Sequence, residues 1–328
     1  MPGQLAGIDL GGTKVQGVVV DREGRPLARA VASTPTSGGP GSVVEQVAAV
    51  ARAAAANAGV AVAELRGVGV GSPGKVEMSA GTVADAANLS GFDRPVPLAK
   101  LVADALALDP QAVRVDNDVN AATLAEHRLG AGQGFDDLLA VFAGTGVGGA
   151  LVLDGRLRRG FRSAAGELGH AVVVEGGDEC PCGRRGCTEA YVGRATMERA
   201  VRAAVGAGRT TLLPAVQQRL GRARLTTDVL AEGLALGDAL AAELVERAAR
   251  ALGAAIASAA NLLDVPAVLL GGGLTDGLGE PFVRQVEAAV RPHLFVDEPP
   301  LEIRPTALGD LAGAIGAALL LHETPSSP

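Results

Sequence analysis

Twice in this chain an apolar run stops at a glycine turn and then resumes. Residues 5–10 lead through Gly11-Gly12-Thr13-Lys14 into 15–20, and residues 138–143 lead through Gly144-Thr145-Gly146 into 147–153. Short runs rich in Val, Ile and Leu, split by glycine, are paired strands. The same pattern at two distant points, with no short fixed period, predicts two related α/β halves. Apolar periodicity fills in the rest: a helix over about 43–58, a strand over 67–71, a helix over 98–106, a strand over 112–115 and a helix over 119–128. Helices over 190–207 and 238–263 then lead to a strand over 267–270 that empties into Gly271-Gly272-Gly273. A last apolar helix over 311–321 precedes a polar tail, 323–328, expected to fray.

At 328 residues the chain is long enough for two hydrophobic cores. The expected division is a smaller lobe over 1–117, to which the helix within 310–328 returns, and a larger lobe over 118–309. Hydrophobic residues make up 48% of the chain but aromatics only 2%, with no Trp, so the cores must be Ala, Val and Leu. That composition disfavours recognition by stacking on aromatic platforms. A net charge of −7 argues against a nucleic-acid partner, which needs clustered Lys and Arg. No membrane association is expected, because the most apolar helix, around 251–263, is bounded by Arg250 and Asp264 and no stretch approaches the roughly 20 apolar residues of a span. With no secretory signal in view, a cytoplasmic chain with reduced thiols is expected.

The three cysteines fall within eight residues, as Cys180-Pro-Cys182-Gly-Arg-Arg-Gly186-Cys187, ten residues after His170. A disulfide would strand the third thiol, and incidental buried thiols or redox chemistry are the other readings of the spacing. The reading adopted is a closed Cys3His zinc tetrahedron, a structural site. Glu167 and Glu189 flank the cluster, so a loop folded around a metal would bring two carboxylates and an imidazole toward one place, suited to a hydroxyl-rich ligand.

Three glycine-rich turns each follow an apolar strand. Each alone is explained by a tight turn, but together they suit a phosphate chain, which needs backbone N–H groups with no side chain in the way. Asp9 precedes the first turn, where a carboxylate faces a phosphate-bound magnesium through water or simply bonds the turn. Asp118 opens the helix after a strand. It reads either as an N-cap or, if Asp116 takes the cap, as a general base for an attacking hydroxyl; the base is favoured.

The set Asp9-Leu-Gly-Gly-Thr-Lys14, Asn117-Asp118, Gly144-Thr-Gly-Val-Gly-Gly149, Gly166-Glu-Leu-Gly-His170 and Cys-Pro-Cys-Gly-Arg-Arg-Gly-Cys-Thr-Glu189 resembles the ROK family of sugar kinases and related repressors, over about residues 7–316. The resemblance implies a two-lobed α/β, actin-like and hexokinase-like (ribonuclease-H-like) ATPase fold with a zinc-binding loop and an active site between its lobes. It implies ATP-dependent phosphorylation of a hexose with Mg2+, most often glucose at its 6-hydroxyl. N-acetylmannosamine, N-acetylglucosamine, mannose or fructose, or a non-catalytic sugar sensor, are the alternatives. It makes Asp118 the catalytic base, with Asn88, Asn117, Glu167, His170 and Glu189 binding sugar hydroxyls. His170 would also hold Zn2+ with Cys180, Cys182 and Cys187. Asp9, Gly11, Gly12, Thr13, Lys14, Gly144, Thr145 and Gly146 fall on the ATP phosphates and Gly271, Gly272 and Gly273 on adenosine. A homodimer or homotetramer is the family's habit. Phe92, Lys75 and Glu77 depart from the family pattern and bear on sugar fit, while Arg156, Arg158, Arg159 and Arg162 match no family role and read as a solvated face.

Overall fold

In a computed structural model the described residues are 3–323, so the tail over 324–328 lies outside them. The chain divides into two compact units, the first comprising residues up to Gly134, Arg156–Ala165 and residues from Ala307 on, the second Phe135–Gly155 and Gly166–Thr306.

The first unit opens with the expected hairpin. Strands β1 (Leu5–Leu10) and β2 (Lys14–Val20) pair antiparallel, Leu5 opposite Val20 and Leu10 opposite Val15. β3 (Pro26–Ser33) extends the sheet beside β2. It was not foreseen, since its Pro, Arg and Ala residues carry little apolar signal and none is buried. Helix α1 (Gly39–Asn57) carries Pro40 in its first turn and buries Val43, Val47, Ala51 and Ala54, one stripe at helical spacing. β4 (Val68–Ser72) runs parallel to β1. A small hairpin, β5 (Lys75–Glu77) and β6 (Thr82–Ala84), which buries Val76 and Val83, and helix α2 (Leu98–Leu106) precede β7 (Val113–Asn117), which is parallel to β4. The sheet order is β3-β2-β1-β4-β7. Helix α3 (Asp118–Leu129) follows β7 directly.

The second unit repeats this plan. β8 (Leu138–Ala143) and β9 (Val147–Leu153) form the second hairpin, while β10 (Arg156–Arg158) belongs to a segment of the first unit. The helix expected over 190–207 is two, α4 (Glu189–Val192) and α5 (Arg194–Gly206), broken at Gly193, which is extended at φ −60° and ψ 134°. Helices α6 (Leu213–Arg219), α7 (Thr227–Ala235) and α8 (Ala239–Leu263) follow, the last capped by Asp238 through the Ala241 N–H. β11 (Ala267–Gly271) runs parallel to β8, then α9 (Gly273–Leu278) and α10 (Glu280–Val290) lead to β12 (Glu302–Pro305), parallel to β11. Strands β9, β8, β11 and β12 thus lie side by side in the same pattern as β2, β1, β4 and β7.

Helix α11 (Ala312–Leu319) closes the first unit, packing on α3, β1 and β4. It fits because Gly7 and Gly69 lack side chains: a Cβ there would stand 1.9 Å from the Ala314 carbonyl oxygen or 1.7 Å from that of Ala317. The packing of α3 on α11 puts α3 in the first unit, where the sequence reading had placed it at the start of the second lobe. Glu126, fully buried on α3, accepts the N–H groups of Ala131, Ala307 and Leu308 and so pins the returning chain. Each core is aliphatic, built on Val and Ala around α1 in the first unit and on Leu and Val around α8 in the second. No described helix is long and apolar enough to cross a membrane.

Candidate active site and metal cluster

In the first unit the glycine turn is closed by the Gly11 N–H on the Lys14 carbonyl (2.9 Å), and the Thr34 hydroxyl donates to the Gly11 carbonyl (2.6 Å). Asn88 packs over this turn, and a Cβ on Gly12 would lie 2.6 Å from the Asn88 Cβ. Asn88 and the first glycine turn are therefore brought together. Lys14 forms an ion pair with Asp310, beside the start of α11.

Asp9 is the next-to-last residue of β1 and lies against α11, where a Cβ on Gly313 would come 2.9 Å from its carboxyl carbon. Its burial there, followed by the neighbouring charge of Asp118, pushes the Asp9 carboxyl up to about 7; Lys14 opposes and Asp310 adds to the shift. A buried carboxyl raised in this way beside a second carboxylate suits a cation or a proton.

Asp118 is the first residue of α3 and is not its cap. Neither is Asp116: the cap is Asn117, whose Oδ1 accepts the N–H groups of Val119 (2.9 Å) and Asn120 (3.3 Å). Asn117 takes the role because its backbone is still extended, at φ −63° and ψ 143°. Its expected sugar contact therefore falls to the amide Nδ2. One Asp118 oxygen accepts the Val119 N–H (2.9 Å).

Asp116 is held otherwise. Its Oδ1 accepts the Asn117 N–H (2.7 Å) and Asn120 Nδ2 (3.0 Å), and its Oδ2 accepts Arg159 Nε (2.7 Å). The solvated-face reading of the basic run is thus corrected at Arg159, which is drawn inward to a buried carboxylate, while Arg156, Arg158 and Arg162 are exposed. Nothing in the sequence separates Arg159 from its basic neighbours. Of the departures from the family pattern, Phe92 is fully buried core, whereas the exposed Lys75 and Glu77 pair with Asp85 (2.8 Å) and Ser79 (2.8 Å) respectively.

In the second unit Glu189 reaches back from α4 to the second glycine turn, where its Oε2 accepts the Val147 N–H (2.9 Å). A Cβ on Gly146 would lie 2.3 Å from that oxygen, so the turn and the carboxylate need each other's shape. Gly144 and Thr145 line a cavity of about 300 Å³ with Gly273 and the apolar Met197, Leu225 and Leu274. Gly271 and Gly272 are not on its wall: Gly271 packs against Phe142 and Thr306, and Gly272, at φ +86°, lies over Ala143. Of the third glycine triplet only Gly273 shares this cavity wall with the second glycine turn.

Glu167 is exposed at the head of a single helical turn, Leu168–His170, and accepts the His170 N–H through its carbonyl (3.0 Å). From that turn His170 presents Nδ1 to Cys180 Sγ at 3.8 Å, and Cys182 and Cys187 are also 3.8 Å apart. The ligand atoms of His170, Cys180, Cys182 and Cys187 all lie within 4.8 Å of one another. A tetrahedron with sulfurs about 2.3 Å from zinc has edges of about 3.8 Å, which the His170–Cys180 and Cys182–Cys187 separations match, so the donor set suits that ion with the remaining edges drawing in by at most about 1 Å. The loop is shaped for this by the Cys180 N–H on the Arg184 carbonyl (2.8 Å) and by an antiparallel backbone bridge between Glu179 and Arg185. The Arg184 side chain draws the Cys182 thiol down to about 6, while burial pushes Cys180 up to about 12. With Nδ1 on the cluster, Nε2 is the edge of His170 left for a ligand.

A family model described as the ROK family matches residues 5–324. A glucokinase of Halalkalibacterium halodurans is 31% identical over 98% of this chain and 96% of its own length. An N-acetylmannosamine kinase of Citrobacter koseri is also 31% identical, over 95% of this chain and 97% of its own. The crystal structure of a ROK family glucokinase from Streptomyces griseus in complex with glucose and AMPPNP superposes with a TM-score of 0.79 at 34% identity, covering 97% of this chain and 99% of that one. A mixed α/β fold with two like-patterned sheets, the glycine turns and the Cys3His cluster agree with that family throughout the described residues, and the chain belongs to the ROK family, among relatives that are sugar kinases.

Proposed function

We propose that this chain phosphorylates a hexose at its 6-hydroxyl with ATP as donor, and that glucose is the preferred sugar. The observation that carries the reading is the pairing of Asp118, at the first position of α3, with Asp9 at the glycine turn, close enough that the Asp118 charge raises Asp9. A base for a hydroxyl, a carboxylate for a hydrated cation and a backbone turn for phosphate are the parts that phosphoryl transfer asks of a protein.

In this reading Asp118 accepts the proton of the 6-hydroxyl as that oxygen attacks the γ-phosphorus; the bond from phosphorus to the bridging oxygen breaks and ADP leaves. Asp9 would help hold Mg2+, whose chemistry when bound would be to neutralise charge on the phosphates. Gly11, Gly12, Thr13 and Lys14, with Gly144, Thr145 and Gly146, are assigned to the phosphates. The cavity of about 300 Å³ is assigned to adenosine, with Gly273 on its wall. Asn88, Asn117, Glu167, Glu189 and Nε2 of His170 are assigned to sugar hydroxyls. A zinc ion on Nδ1 would fix the tautomer in which Nε2 meets a hydroxyl. The glucokinase relatives favour glucose, while the N-acetylmannosamine kinase supports that amino sugar as the second candidate.

The test is ADP release by the Asp118→Asn enzyme beside calorimetric sugar binding. Loss of about 10²- to 10⁴-fold in kcat with sugar affinity retained is the expected result. Equal loss of turnover and binding would overturn the base assignment.

A further inference from the structure

Arg159 lies outside every motif used by the proposed reaction, yet it is anchored to the residues around the proposed base. Its ion pair with Asp116 is buried, with 9% of the Arg159 side chain and 3% of the Asp116 side chain exposed. Asp116 in turn bonds the Asn117 N–H and Asn120 Nδ2, the two residues that with Val119 make the first turn of α3 around Asp118. Asn117 is itself the cap of that turn. Arg159, Asp116 and the capped turn form one continuous chain of hydrogen bonds, with Asp118 at its end.

The guanidinium is kept there against the balance of hydrogen bonding. Nη2 of Arg159 is buried with no hydrogen-bond partner among the described residues. Apolar groups of similar size in place of a buried ion pair commonly preserve or raise stability. A fold that needed only packing at this point would thus be better served by an aliphatic side chain, and the charge calls for another reason. A cation facing Asp116 supplies one. It holds Oδ2 and so fixes the carboxylate plane that presents Oδ1 to the Asn117 N–H and Asn120 Nδ2, restraining the cap and the first turn of α3, and a base must sit within hydrogen-bond reach of its proton before its basicity matters.

Resting on the kinase reading above, the geometry points to Arg159 as a positioning residue for Asp118, acting through Asp116 and touching neither sugar nor nucleotide.

The experiment compares wild type, Arg159→Met and the neutral double variant Arg159→Met/Asp116→Asn in steady-state hexose phosphorylation, with thermal unfolding recorded for each. Asp116→Asn keeps the acceptor for the Asn117 N–H while removing the charge that Arg159→Met leaves bare. Both variants are expected to lose about 10- to 100-fold in kcat, as misplacement of a reacting group does, with sugar KM within about threefold of wild type. The double variant is expected to recover the unfolding midpoint without recovering kcat. A folded variant with wild-type kcat, a loss carried by KM alone, or kcat that returns together with the midpoint in the double variant would overturn the positioning role. If Arg159→Met does not fold, the double variant decides by the same criteria. Wild-type turnover with an unimpaired variant refutes this role alone, whereas wild type that phosphorylates no hexose refutes the kinase reading and this role with it.

Discussion

Replacing Asp9 by Asn should remove a pH dependence of stability that the Asp9 site builds in. Burial, the Asp118 charge and the Asp310 charge raise the Asp9 carboxyl from 3.8 to about 7 in the folded chain. Between those two values the folded state binds more protons than the unfolded state, so unfolding free energy falls as pH rises, by about 1.4 kcal/mol per pH unit. The stabilising protonated form is complete below 3.8 and lost above about 7. The whole shift corresponds to about 4 kcal/mol, of which about 3 kcal/mol lies between about pH 5 and about pH 8. Urea unfolding of wild type and Asp9→Asn at those two pH values, without divalent cations, isolates the effect, because every other titrating group is common to both. Wild type should lose about 3 kcal/mol more than the variant on going from acid to alkaline pH. Adding Mg2+ should narrow that gap at about pH 8, where the bare carboxylate is present, and leave it unchanged at about pH 5. Identical pH profiles for the two proteins, or a wild type that gains on the variant as pH rises, would refute the reasoning.

Other outcomes follow from the same geometry. Gly146→Ala puts a methyl group 2.3 Å from Glu189 Oε2 and must break the bond to Val147; the hexose KM is expected to rise about tenfold with the fold retained, and an unchanged KM in steady-state kinetics would contradict the Glu189 assignment. Gly12→Ala displaces Asn88 on the first turn and should weaken both sugar and nucleotide binding by calorimetry; loss of neither would separate Asn88 from the site. Removing metal with a chelator, or substituting Cys182→Ser, should lower the thermal midpoint and weaken sugar binding while plasma emission of the untreated protein reports about one zinc per chain; a metal-free protein with full affinity would remove His170 from the proposed coupling.

The fold was legible where local pattern and burial agree. β1, β2, β8 and β9 were readable because both faces of each hairpin are mostly buried, which leaves uninterrupted apolar runs on either side of a glycine turn. The bounds of α2 were readable because Leu98, Val102 and Leu106 keep helical spacing between breakers. β3 and β12 were not, since as edge strands they bury little and their sequences show it. The Cys3His cluster was legible from spacing alone, because short glycine-bearing loops restrict where three thiols and a nearby imidazole go. The α3 cap was misread because Asp116, Asn117 and Asp118 are all competent capping residues, and only the backbone angle at Asn117 separates them. Arg159 was invisible as a partner of Asp116, since 43 residues separate the two and only the tertiary fold brings them together.

The most direct measurement is a coupled ADP-release assay with Mg-ATP against a panel of hexoses and N-acetylhexosamines, run on wild type and Asp118→Asn at matched folded concentration. The account predicts turnover that is fastest with glucose and lost in the Asp118→Asn enzyme while calorimetric sugar binding persists. Sugar binding without turnover of any member of the panel by wild type would contradict it.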